Sequence, residues 1–293
     1  VIYDLSHVST YGYNSSVASA RCTIRIWPRV DADQTVIASR IDVTPAPTER
    51  RETIDFFGNR VTEARITTPH RKLRVALTAR IDVHRAPAPA PGLTPAWELT
   101  RHAAASAQSL GSMSPVHFLF PRRLAPLAAP ITTYARESFA TGRPVLEGAA
   151  DLMRRIYMDF DYDPDATEIL TPLVEAFERR SGVCQDFAHI MIAGLRGLGL
   201  PAAYVSGYIR TYSSPGKPRL EGSDASHAWV LAWCGPEFGW LHFDPTNNLI
   251  ATDEHIVVAI GRDYADVSPI DGVMRGSGKQ SLDVAVDVKP VEA

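Results

Sequence analysis

Apolar and polar positions alternate with a period of two through about the first 85 residues, which predicts strands. Residues 73–83 are the clearest run. Leu73, Val75, Leu77, Ala79, Ile81 and Val83 point one way, and Arg74, Thr78, Arg80 and Asp82 point the other. One dry and one wet face is the pattern of an antiparallel sheet. Cys22, Ile24 and Ile26 share a face of an earlier strand, and Phe57-Gly58-Asn59-Arg60 has the turn chemistry of a hairpin. Residues 85–95, RAPAPAPGLTP, alternate Ala and Pro and read as a linker or surface crossing.

Beyond the linker the period becomes helical. Residues 125–140 and 145–160 carry apolar positions at helical spacing, with Gly142 and Pro144 between them, and 172–179 predicts a short helix. A longer helix opens at Ser181-Gly182-Val183-Cys184. Phe187, Ile190, Met191, Leu195 and Leu198 form its stripe, and Gly199 and Pro201 close it. Strands follow at 202–211, 227–234, 240–243 and 255–260, and the Ser-, Pro- and Gly-rich loop from Tyr212 to Ala225 is expected to border a cleft. Near the end, Leu282, Val284, Val286 and Val288 oppose Asp283, Asp287 and Lys289, a final strand for which the N-terminal sheet is one candidate partner. The expected organisation is α+β: an antiparallel β domain over 1–85, a linker over 86–100, a core over 101–265 and a C-terminal extension over 266–293.

At 293 residues the chain can hold one large domain or two ordinary ones. Its 45% apolar and 22% charged residues are the balance of a globular protein. A formal charge of −3 gives no basic field for nucleic acid and no polybasic membrane surface. No stretch approaches the ~20 apolar residues of a membrane span. The N-terminus lacks the basic region and apolar run of a signal peptide, so a cytoplasmic location is expected, although a leader removed from a precursor would leave no trace. Three cysteines, none in a CxxC pair, are neither a disulfide framework nor a zinc signature. Cys22 and Cys234 read as small buried hydrophobes.

Cys184 sits in different company. A free thiol has a pKa of about 8.5 and needs help to act as a nucleophile. The unpaired N–H groups and positive dipole end of a helix start supply that help, and can also receive a developing oxyanion. A base must then come from elsewhere in the chain. His227, in SDASHAWV, is the next candidate, with Trp229 on the same strand face flanking the imidazole. Asp244 ends GWLHFDPTNN, where Pro245 stops the strand and leaves the carboxylate at its lip. If the two strands pair, His227 and Asp244 meet, and the carboxylate can orient the imidazole. Each residue also has a structural reading: a core cysteine, a satisfied strand histidine, an Asp-Pro turn. A metal reading would draw on His227, His242, Asp244 and His255, with His189 beyond Cys184, but no HExxH or His-x-His grouping occurs. His242 shares the face of Asp244 and fits a pocket wall better than a ligand. Neither metal nor cofactor is expected.

At these residues the sequence resembles the transglutaminase-like superfamily. RRSGVCQDFAHIMIAGLRGLGLPAAYVSGYI is similar to its cysteine motif, DASHAWV to its histidine motif and GWLHFDPTNN to its aspartate motif. YDLSHVSTYGYNSSV, WPR and DFFGNRV resemble the bacterial transglutaminase N-terminal domain, and GRDYADVSPIDGV a segment recurring late in the same branch. The resemblance implies a papain-like core with Cys184 as nucleophile, His227 as general base and acid, and Asp244 as orienting carboxylate, and none of the three departs from the pattern. Gln185 and Asp186 would bind substrate or cap the helix, with capping favoured. Tyr204 and Tyr208 would line the cleft or pack in the core, Trp229 and His242 would flank the site, and Arg262, Asp263 and Tyr264 would form an interface network or touch substrate. The implied reaction runs through a thioester acyl-enzyme. No calcium-site loop is visible and the chain is shorter than the animal cross-linking enzymes, so hydrolysis of a peptide, isopeptide or small amide is expected. The alternatives are an amine-accepting transglutaminase and a silent binding or scaffold module. Relatives of this branch also imply ATP-grasp-like and helical partner proteins.

Overall fold

Alternation becomes two antiparallel sheets. In the computed structural model, which describes residues 1–210 and 225–291, the first sheet has the order β15 (Gln280–Pro290), β1 (Ile2–Val17), β6 (His70–Val83), β3 (Gln34–Thr44). The second has the order β14 (Ile270–Arg275), β2 (Ser19–Ile24), β5 (Arg60–Ile66), β4 (Glu49–Ile54). On β6, Leu73, Val75, Leu77, Ile81 and Val83 are buried while Arg74, Thr78 and Arg80 are exposed. Each such buried side chain contributes about 1.5–3 kcal/mol. Ile24 and Ile26 join the same core.

The C-terminal strands complete these N-terminal sheets. β15 lies beside β1 with Leu5 opposite Val288, and β14 lies beside β2 with Thr23 opposite Asp271. Only half of the β15 stripe is inward. Val286 and Val288 are buried, but Leu282 and Val284 are exposed, because the strand runs past the core towards Tyr11 and Tyr13 of β1.

The stretch read as a linker ends sooner than its composition implied. Prolines 87, 89 and 91 keep it irregular up to a single 3-10 turn, Pro91–Leu93, and past Pro95 the chain enters α1 (Trp97–Ala105). Trp97 is buried there against Phe139 and donates its indole N–H to the Ala140 carbonyl at 3.1 Å. The next helix is also shorter than its periodicity: α2 covers Ala129–Arg136, because Pro130 occupies its first turn. α3 (Val145–Asp159) and α4 (Leu173–Arg179) follow, with β7 (Asp161–Tyr162) pairing in parallel with β8 (Ser181–Gly182).

α5 (Cys184–Gly197) is the central helix, buried from Asp186 to Arg196 and packed against α2 and a five-stranded antiparallel sheet. That sheet has the order β12 (Leu249–Ile250), β11 (Trp240–Asp244), β10 (Ala225–Trp233), β9 (Ala202–Ile209), β13 (His255–Gly261). Gly199 ends α5 with φ +79°, a conformation that side chains resist. The short α6 (Tyr264–Val267), absent from the periodicity, is capped by Asp263, whose carboxylate accepts the Ala265 N–H at 3.2 Å. The architecture is α+β with a papain-like core. Among the described residues no helix is long and apolar enough to cross a membrane.

The two halves meet along β13, an outer strand of the core sheet. Gln34 donates to the Val257 carbonyl and accepts the Val257 N–H, both at 2.9 Å. Asn59, in the predicted hairpin turn, does the same at Ile260, at 2.8 and 2.9 Å. Two side-chain amides thus satisfy backbone groups that an edge strand leaves open.

Candidate active site at the start of α5

Val183, extended at φ −114° and ψ 178°, leads into α5, so Cys184 is the first helical residue. Asp186 accepts the Val183 N–H at 2.9 Å and the Thr167 hydroxyl at 2.6 Å, which closes the helix start with a carboxylate at its positive end. Gln185 donates to the Ile169 carbonyl at 3.2 Å, tying the preceding turn to the helix. Cys184 is half-buried. Tyr162 lies alongside it, and burial followed by the charge of the Cys184 sulfur pushes its phenol up.

His227 is buried on β10, and Asp244 ends β11 with no exposure to solvent. The two strands pair, Val230 opposite Phe243, which carries His227 Nε2 to 2.8 Å from Asp244 Oδ2. The Cys184 sulfur lies near enough to His227 to raise the proton affinity of its imidazole. Burial alone would lower its proton affinity, but the bond to Asp244, the nearby Cys184 sulfur and the charges of both outweigh that and raise its pKa to about 10. With Nε2 committed to the carboxylate, Nδ1 is the nitrogen left for the sulfur.

Asp244 is held from every side. Oδ2 takes His227, His255 Nε2 at 3.0 Å and Asn247 Nδ2 at 2.7 Å, while Oδ1 accepts the N–H groups of Thr246 and Asn247 at 3.0 and 3.2 Å. Burial raises the proton affinity of this carboxyl, but the bonds from the two histidines, the charge of His227 and the bond from Asn247 hold it well below the usual range. Asp244 is therefore an acceptor only, and both Nε2 atoms facing it carry protons.

Trp229 forms the floor. Its indole stacks on His227 at 6.0 Å, meets the edge of His255 at 5.1 Å and donates to His242 Nδ1 at 2.8 Å. Gly207, opposite His227 in the sheet, leaves room for it. A Cβ there would lie 2.2 Å from the Ile256 carbonyl oxygen and 2.5 Å from the indole. Gly207→Ala is accordingly expected to destabilise the fold by about 1–3 kcal/mol or more, as overpacking does. Urea unfolding reads this directly, and a wild-type midpoint would show that the indole is not held there.

The other residues singled out in the sequence are distributed as follows. Tyr204 and Tyr208 are in the core, not on a cleft wall. Tyr204 stacks on His189, and Tyr208 donates or accepts across 3.0 Å to His7 Nδ1 of the N-terminal sheet. Both face inward because β9 is the interior strand between β10 and β13. His242 is half-buried, and burial with the charges of Arg85 and His255 keeps it neutral. His189 accepts the Tyr264 N–H at 3.2 Å. Arg262 lies over Phe57 of the N-terminal hairpin and pairs with Asp266 at 2.7 Å, and Asp263 is buried and accepts the Leu124 N–H, so this trio sits at an interface. The loop from Tyr212 lies outside the described residues up to 224.

Two residues of the site escaped the sequence reading. Asn247 was legible as the third residue after Asp244 in a turn, the usual reach of an Asx side chain. In the sequence His255 reads as the start of a strand or as one of several possible metal ligands. The atoms of His227, Asp244 and His255 do lie within 4.8 Å of one another. However, the two imidazoles aim protonated Nε2 atoms at one carboxylate oxygen, which is hydrogen bonding and not an open ligand set.

Known proteins share this plan. Residues 3–82 match the bacterial transglutaminase-like N-terminal region, and residues 132–245 match the transglutaminase-like superfamily. An uncharacterised protein of Mycobacterium tuberculosis is 38% identical over 298 residues, covering 99% of this chain and 93% of its own. A segment of 103 residues is 36% identical to a protein-glutamine gamma-glutamyltransferase of Pseudomonas aeruginosa, covering 32% of this chain and 15% of that one. In fold, a candidate cysteine protease from Cytophaga hutchinsonii superposes with a TM-score of 0.72 at 21% identity, over 100% of this chain and 92% of the other. With its N-terminal and core regions both matched and its cysteine, histidine and aspartate segments converging on one site, the chain belongs to the transglutaminase-like superfamily.

Proposed function

We propose that this protein is a cysteine-dependent acyl-transfer enzyme that hydrolyses a peptide, isopeptide or small amide bond. One observation carries the reading: Cys184, at the first turn of a buried helix, lies near the imidazole of His227, whose Nε2 rests 2.8 Å from the buried Asp244. In the proposed cycle the Cys184 sulfur attacks the carbonyl carbon and the C=O electron pair moves onto oxygen. The free N–H groups at the start of α5 face that oxyanion. Collapse expels the amine, which takes its proton from His227, and leaves a thioester. Water then attacks with His227 accepting its proton, and the acid departs as the sulfur regains its electron pair. Asp244 remains ionised throughout and stabilises the imidazolium whenever His227 carries its second proton.

An amine in place of water would make an amide instead. The Pseudomonas aeruginosa relative, named for glutamyl transfer, favours this second reading over the segment it matches. A cytoplasmic site of action and peptide-like substrates are part of the proposal.

The test is thiol alkylation across pH, with the adduct located by mass spectrometry. Cys22 and Cys234 serve as internal controls: burial and the charge of Asp271 push the Cys22 thiol up, and burial pushes Cys234 up to about 12. Cys184 is expected to react far faster than either at neutral pH. Equal rates at the three sites would sink the nucleophile. A panel of peptide and isopeptide amides, with and without a labelled amine, then separates hydrolysis from transfer.

A further inference from the structure

Asp244 Oδ2 carries a second imidazole that the acyl-transfer cycle does not use. His255 Nε2 stands 3.0 Å from it, with no solvent contact to speak of, and the ring is wedged edge-on against Trp229. The groups facing His255 are His227 from β10, Asp244 and His242 from β11, and Arg85 from the segment after β6. Burial lowers its proton affinity, and His227 and Arg85 add to that against the pull of Asp244, so the neutral ring is favoured at pH 7 and above. Its Nδ1 is buried and has no hydrogen-bond partner among the described residues. A neutral imidazole with its proton on Nε2 is a pure donor to the carboxylate.

His255 is also anchored from outside the core. It opens β13, where Gln34 and the Arg29 N–H bond Val257, two residues on, and where Arg85 Nη1 donates to the Thr252 carbonyl at 2.6 Å. Arg85 is itself paired with Asp33 at 3.2 Å. The N-terminal layer therefore sets the strand from which this ring projects.

We infer that His255 is a positioning residue for the site, a second imidazole that holds the Asp244 carboxylate in the rotation His227 needs. The inference rests on the cysteine acyl-transfer reading above. The turn residues Thr246 and Asn247 hold Asp244 through its own loop, and without a donor from another strand the carboxylate plane can tilt about its Cβ–Cγ bond. The His255 donor, brought from β13, reduces that freedom, and because burial disfavours a charge on its ring it competes little with His227 for the negative charge.

The test uses the full chain and two variants. His255→Phe keeps a ring against Trp229 but removes the donor, and His255→Gln restores an N–H donor of different shape. Iodoacetamide alkylation of Cys184 at pH 6 is expected to slow about 10- to 100-fold in His255→Phe, the worth of one hydrogen bond to a charged group, and its rate to become steeply pH-dependent. His255→Gln is expected to recover most of the wild-type rate and profile. A folded His255→Phe with the wild-type profile overturns the inference, as does equal impairment of both variants, which marks a role in packing alone. The wild-type protein gives an independent reading by long-range ¹H–¹⁵N NMR. His255 is expected to be neutral with its proton on Nε2 between pH 7 and 9, and a protonated ring or the other tautomer in that range overturns the inference even if no variant folds. Failure of the underlying reading looks different: wild-type Cys184 would then react no faster than Cys22.

Discussion

Cys184→Ala is expected to abolish turnover, with a fall in kcat of about 10⁴- to 10⁶-fold, the range seen when the nucleophile of a triad is removed. Neither other thiol is placed to substitute, since Cys22 and Cys234 are both buried. The change should be nearly silent structurally. Cys184 is half-buried in the first turn of α5, and alanine is a good helix former, so the unfolding free energy should move by no more than about 0.5 kcal/mol. Cys184→Ser tests the chemistry more sharply. It keeps the volume but offers a hydroxyl that His227, already protonated beside Asp244, is ill suited to activate. Both variants should therefore bind substrate and not turn it over. Retention of more than a few per cent of activity in either one, on a verified sample free of wild type, would remove Cys184 as the nucleophile.

The second large effect is expected at Asp244. Asp244→Ala withdraws the acceptor for two imidazoles, the Asn247 amide and two backbone N–H groups. Removing one member of a buried charged pair typically costs about 3–5 kcal/mol, because its partner stays buried without compensation. Activity should fall about 10⁴-fold with it. Asp244→Asn preserves the volume and separates the two effects. It should fold better than the alanine variant, while the pKa of His227 drops from about 10 towards its ordinary value. A ¹⁵N titration of His227 reads that drop, and an unshifted titration would remove Asp244 from the site.

The same pair predicts how stability depends on pH. His227 binds its proton more tightly when folded, up to about 10. Its contribution is complete below its unfolded pKa of about 6.5, and is lost as pH rises from there through about 10. The folded Asp244 carboxyl is held below its unfolded value, so its contribution is complete above about 4 and is lost as pH falls below that. Wild-type stability should thus be greatest between roughly pH 4 and 6.5, and this plateau should flatten in Asp244→Asn. Urea midpoints from pH 3 to 10 measure it, and identical curves for the two proteins would contradict the assignment of charge.

Much of this molecule was readable before any coordinates. Period-two alternation on β6 and helical spacing on α5 are local patterns that burial enforces residue by residue, so they specified elements, faces and the position of Cys184 at a helix start. The histidine and aspartate stood on neighbouring strands because a short turn with Gly235 and Gly239 joins them, which makes pairing the default. What the sequence could not determine was anything set by non-neighbouring strands. β13 lies on the far side of β9 from β10, so nothing local to His255 reveals that its ring crosses to Asp244. Tyr204 and Tyr208 alternate as a cleft wall might, yet β9 is interior, and covering by the N-terminal sheet and α5 turned both into core. Gln34 and Asn59 read as ordinary polar residues, and only the docking of the N-terminal layer on an open strand edge made them clamps on β13. Sequence periodicity records which side of an element is dry; which distant element keeps it dry is a tertiary decision, made by long-range packing that leaves no periodic trace.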